Sequence, residues 1–90
     1  MKKQNKKPAT QVINVTEMNN GNLLSVTSFI VKDENSKKGI KLISESEKLF
    51  ADKARENGIR EEDVYDCLED GNFSNGTYSL TLSWSLKVIK

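Results

Sequence analysis

A chain of 90 residues and 10.1 kDa has room for one compact domain and not for two. It contains no histidine, one cysteine (Cys67) and one proline (Pro8). That removes the imidazole that accepts the proton in Ser-His-Asp and Cys-His nucleophiles, and most of the ligands from which tetrahedral zinc sites are built. With 36% hydrophobic and 30% charged residues and a net charge of +1, it is polar for a globular domain yet richer in apolar runs than a disordered one.

The charge is uneven along the chain. Lys2, Lys3, Lys6 and Lys7 lie in the first seven residues; without them, ten basic side chains face 13 acidic ones, so residues 8–90 carry about −3. Residues 1–9 show no apolar periodicity and are expected to form a disordered, solvated tail, with residues 10–90 as a single small domain. The opening is basic, as in a signal peptide, but no apolar segment follows it, so no secretory signal is expected. No stretch approaches the roughly 18 apolar residues of a membrane span. A single thiol with no possible intrachain disulfide makes a reducing cytoplasm the expected compartment. The N-x-[ST] triplets at Asn14, Asn72 and Asn75 then read as strand and turn chemistry rather than as glycosylation acceptors.

Two β-rich runs, with Val12, Ile13 and Val15 in the first and Leu23 to Val31 forming the second, flank Asn20-Gly21. Both turn residues tolerate the positive φ of a type I′ turn, which predicts a hairpin with strands at about 11–18 and 23–32. After a polar loop, Ile40 to Ile43 fits either a short third strand or the entry to a helix. Ser44-Glu45-Ser46-Glu47 matches a capping box, Leu49, Phe50 and Ala54 follow at helical spacing, and Asn57-Gly58 supplies a left-handed exit. These signals predict a helix over 45–57. Val64, Cys67 and Leu68 make a narrow apolar stripe that predicts a second helix over 60–70, with Glu61, Glu62 and Asp63 in its first turn, where they favour the helix dipole.

The last segment has the clearest period. Tyr78, Leu80, Leu82, Trp84, Leu86 and Val88 alternate with Ser, Thr and Lys, as in an antiparallel strand buried on one face only. Asn75-Gly76 marks the turn before it, and Phe73 begins a short partner strand. The expected fold is therefore α+β, a two-layer sandwich of a three- or four-stranded, mainly antiparallel sheet packed by two helices in the order β-β-(β)-α-α-β. This cadence is similar to that of many small proteins encoded by bacteria and their mobile elements, a likeness that carries no function with it.

Three functional classes follow, and none requires a cofactor or a metal. In the leading one, the chain is a small non-enzymatic adaptor or regulatory module. It binds another protein through the acidic segment, where Glu61, Glu62, Asp63, Asp66, Glu69 and Asp70 surround Tyr65, or through an exposed strand edge, pairing with itself as a special case. In the second, Lys2, Lys3, Lys6 and Lys7 neutralise phosphates and the protein associates with nucleic acid. The third is a carboxylate enzyme using one or two of Glu61, Glu62, Asp66 or Glu69, in a domain with little room for a substrate cleft. Calcium-loop spacing is absent from the acidic run. Cys67 on the apolar stripe reads as an inert core thiol.

Overall fold

The computed structural model describes residues 10–87, and its first feature is the hairpin that the Asn-Gly step demands. Strand β1 (Thr10–Asn19) turns at Asn20 (φ 53°) and Gly21 (φ 80°) into β2 (Asn22–Val31). Helices α1 (Lys37–Glu56) and α2 (Glu61–Asp70) follow, then the short β3 (Asn72–Ser74) and the long β4 (Tyr78–Lys87). The four strands form one antiparallel sheet in the order β2-β1-β4-β3, so the first strand and the last lie side by side at its centre. The element order β-β-α-α-β-β confirms the α+β expectation and resolves its bracketed strand. Residues 37–43 are helix, and the fourth strand is Asn72–Ser74.

Helix α1 begins a full two turns earlier than the Ser44 capping box implies, and the local hydrogen bonds show why. Asp33 accepts Asn35 N–H on its side chain (2.9 Å), while its carbonyl accepts the Ser36 hydroxyl (2.8 Å). Ser36 Oγ in turn accepts the N–H of Gly39 (2.9 Å) and caps the helix. Glycine is required at position 39 because a Cβ there would collide with the Asp33 carbonyl. The true start is thus disguised by a glycine and by two lysines in the first turn, both unfavourable there on propensity and dipole grounds. Ser44 sits exposed in mid-helix.

Phe50 and Ala54 of α1 pack against Val15, Tyr78 and Leu80, and Phe29, Leu49, Ile59, Cys67, Leu68 and Phe73 close the cluster. Full burial of a side chain such as Phe50 or Leu80 is worth about 2 kcal/mol or more. Cross-strand register places Ile13 with Phe29 and Trp84, Val15 with Thr27 and Leu82, and Glu17 with Ser25 and Leu80, all on the helix-covered face. The other face, with Thr81, Ser83 and Ser85 exposed, has no helix against it among the described residues. Trp84 belongs to the apolar row by register but is 42% exposed and lies outside the core cluster. It is therefore not the core residue that alternation alone implies.

Helix α2 ends at Gly71 (φ 76°), whose N–H returns to the Cys67 carbonyl and whose own carbonyl accepts Leu82 N–H (2.8 Å). A Cβ at Gly71 would lie 2.8 Å from the Leu82 carbonyl oxygen, so the helix exit and its tie to β4 both require glycine. Among the described residues, no helix is long and apolar enough to cross a membrane.

Candidate functional site

Helix α2 turns Val64 inward, packs Cys67 and Leu68 at the core margin, and sends its carboxylates outward. Glu61, Glu62, Asp66, Glu69 and Asp70 are exposed, Asp63 is half-buried, and Tyr65 is 68% exposed among them. Helical spacing puts Tyr65 beside Glu62 and Glu69, at i−3 and i+4.

The six carboxylates divide into two groups. Glu61 pairs with Arg55 at 2.6 Å, while Glu62 (3.2 Å) and Asp63 (2.9 Å) both pair with Arg60. These three also lie in the first turn, where the helix dipole favours negative charge. Among the described residues, Asp66, Glu69 and Asp70 have no ion pair, and α2 has no basic residue in its last turn. Carboxylates at a helix C-terminus oppose the macrodipole and weaken the helix slightly. Helix stability accounts for the first group and not for the second.

Burial pushes the Cys67 thiol up, and the charges of Asp63, Asp70 and Asp66 add to the effect, so this cysteine is a poor nucleophile. Among the described residues, no three His, Cys, Asp or Glu side chains are grouped to hold a metal ion. A recess of 530 Å³ between α2 and β3 includes Arg60, Asp63, Asp66 and Phe73, and it is broad and open. Lys2, Lys3, Lys6 and Lys7 lie outside the described residues. The N-x-[ST] asparagines behave as turn and strand chemistry: Asn75 Oδ1 accepts the N–H groups of Thr77 (3.0 Å) and Tyr78 (2.8 Å), and Asn14 accepts the Ser28 hydroxyl (2.6 Å).

One polar cluster escaped the sequence reading. Glu17 points from β1 into the layer beneath α1, its side chain 13% exposed. Its Oε2 accepts the Ser25 hydroxyl (2.8 Å) and pairs with Lys53 Nζ (2.9 Å), while its Oε1 accepts the Tyr78 hydroxyl (3.0 Å). Desolvation raises the carboxyl pKa, but the hydrogen bonds from Lys53, Ser25 and Tyr78 and the lysine charge outweigh it, leaving Glu17 below its ordinary value. Burial, and then the bond to Glu17, push the Tyr78 hydroxyl well above the ordinary tyrosine range. Every oxygen here is committed to holding β1, β2, β4 and α1 together, so the cluster is an anchor rather than an acid-base site. The signal for it was present in the period: Glu17 continues the inward series Ile13, Val15.

A scan against protein-family models and searches of the curated proteins and of the solved structures return no match to this chain.

Proposed function

We propose that this chain is a small non-enzymatic interaction module that docks a basic surface of another protein against the outer face of α2. The observation that carries this reading is the uncompensated half of the acidic run. Asp66, Glu69 and Asp70 stand in solvent without ion pairs among the described residues, and Glu69 and Asp70 lie in the last turn of the helix, where negative charge is least favourable. Glu69 lies one turn from Tyr65, a rigid aromatic of the kind that anchors protein interfaces. Such a face steers a positively charged partner by its field and gains contact energy from the ring.

The test is retention of partners from source-cell lysate at low salt, with and without nuclease, by the wild type and by Asp66→Asn/Glu69→Gln/Asp70→Asn. One protein held in both wild-type samples and lost from the variant is the expected result. Retention unaffected by the three substitutions would refute the reading. Material that disappears with nuclease and with deletion of residues 2–7 would replace it with nucleic-acid association through the lysine tail.

A further inference from the structure

We infer that Asn20-Gly21, at the tip of the β1–β2 hairpin, is the site of spontaneous deamidation in the folded chain. The Gly21 nitrogen closes on the Asn20 side chain to form a succinimide, which water opens to aspartate and isoaspartate. The inference is independent of the α2 face and of what that face binds.

The chain has three Asn-Gly steps, Asn20-Gly21, Asn57-Gly58 and Asn75-Gly76, and the motif itself does not rank them. Glycine favours the reaction because it has no Cβ to obstruct the approach of its own nitrogen to the preceding side chain. That nitrogen, its proton taken by hydroxide, attacks the asparagine Cγ; the bond from Cγ to the amide nitrogen breaks, and ammonia leaves with a proton from water. Water then adds to one of the two ring carbonyls. Cleavage between the ring nitrogen and Cγ yields aspartate, and cleavage between the ring nitrogen and the main-chain carbonyl carbon yields isoaspartate. A hydrogen bond that holds either the glycine N–H or the side-chain amide has to be broken first.

Two of the three steps are held at both points. Asn57 Nδ2 donates to the Lys53 carbonyl (2.8 Å), and Gly58 N–H donates to the Arg55 carbonyl (3.2 Å). Asn75 Nδ2 donates to the Asn57 carbonyl (3.1 Å), its Oδ1 accepts the Thr77 and Tyr78 N–H groups, and Gly76 N–H donates to Ser74 Oγ (3.2 Å). Asp70-Gly71, where an acid can close the same ring with loss of water, is also restrained, because Gly71 N–H donates to the Cys67 carbonyl (2.8 Å). At the hairpin tip, neither the Asn20 side chain nor the Gly21 N–H has a hydrogen-bond partner among the described residues, and both residues are exposed. The bond from Asn20 N–H to the Thr77 carbonyl (2.9 Å) engages neither reacting atom. Ring closure needs rotation about the Asn20 Cα–C bond, which an exposed two-residue tip reaches by local opening. Either product adds a negative charge at the tip, and isoaspartate also carries an extra methylene through the main chain of the turn.

Incubation of the full chain at mildly alkaline pH, followed by peptide mapping with mass spectrometry, tests the inference. Conversion is read from the mass gained when NH is replaced by O, and isoaspartate from methyl labelling by an isoaspartyl methyltransferase. Asn20 is expected to convert about tenfold faster than Asn57 or Asn75, the factor set by the hydrogen bonds those two must break. In denaturing urea the three rates should converge, because the difference lies in the fold and not in the motif. Asn20→Gly, which keeps a residue suited to the positive φ, should abolish the early mass gain and leave the slower sites unchanged. Conversion at Asn57 or Asn75 as fast as at Asn20 in the folded chain would overturn the inference. So would an order of rates that persists in urea, or an early mass gain that survives Asn20→Gly.

Discussion

Glu17 and the carboxylates of α2 carry the same functional group in opposite circumstances. Glu17 is the one charged residue of its strand, mostly enclosed beneath the helix layer and bound by three donors from β2, β4 and α1. The acids of α2 are six in ten residues, and the last of them stand in water at the wrong end of a helix. Linear charge density marks the second group and hides the first, yet the single partly buried acid is the one tied to three other elements of the fold. Charge that stabilises is found by its partners, and charge without partners within the chain is available to something outside it.

Removing the buried acid should have the largest effect. Glu17→Ala leaves the Lys53 ammonium and the Tyr78 hydroxyl without their acceptor, and it is expected to lower stability by about 3 kcal/mol in urea unfolding. Tyr78→Phe removes one donor and keeps the ring in the core, so a loss of about 1 kcal/mol is expected, together with a rise in the Glu17 pKa that NMR titration would detect.

The pH profile sharpens the contrast. Because the folded Glu17 pKa is depressed, its contribution is present above the ordinary glutamate range and is lost as pH falls through the folded value. Because the folded Tyr78 pKa is raised, its contribution is present below the ordinary tyrosine value, about 10, and declines as pH rises beyond it. Part of the acid limb of the stability curve should therefore vanish in Glu17→Gln, and part of the alkaline limb in Tyr78→Phe. The smallest effect belongs to α2: Asp66→Asn/Glu69→Gln/Asp70→Asn should change stability by less than about 0.5 kcal/mol, toward a slightly firmer helix as the dipole conflict is relieved. A large loss there would erase the distinction between the two groups.

Much of the fold was legible because its signals are local. Asn20-Gly21 fixes the hairpin through two positive φ angles, Val64, Cys67 and Leu68 fix the inward face of α2, and strict alternation fixes β4. The start of α1 was not legible. Ser44 with Glu47 imitates a cap, whereas Ser36 caps through a loop built on the Asp33 carbonyl, a geometry that requires Gly39 where propensity argues against it. Trp84 differs for a related reason: alternation says which face a residue takes, and not whether the neighbouring elements cover it there. At the candidate site, the acidic run was visible in full, but its division was not, since Arg55 reaches Glu61 across a turn between helices. Glu17 was overlooked because its partners lie at Ser25, Lys53 and Tyr78, and only the closed fold brings them together.

The most direct test of the α2 assignment is site-specific photo-crosslinking in source cells, with a photoreactive phenylalanine replacing Tyr65 or, as the comparison, Thr81 on the open sheet face. The account predicts a discrete heterologous product from position 65, lost in the Asp66→Asn/Glu69→Gln/Asp70→Asn background, and none that shares this dependence from position 81. Equal products from both positions, or a position 65 product that survives neutralisation of the three carboxylates, would contradict it.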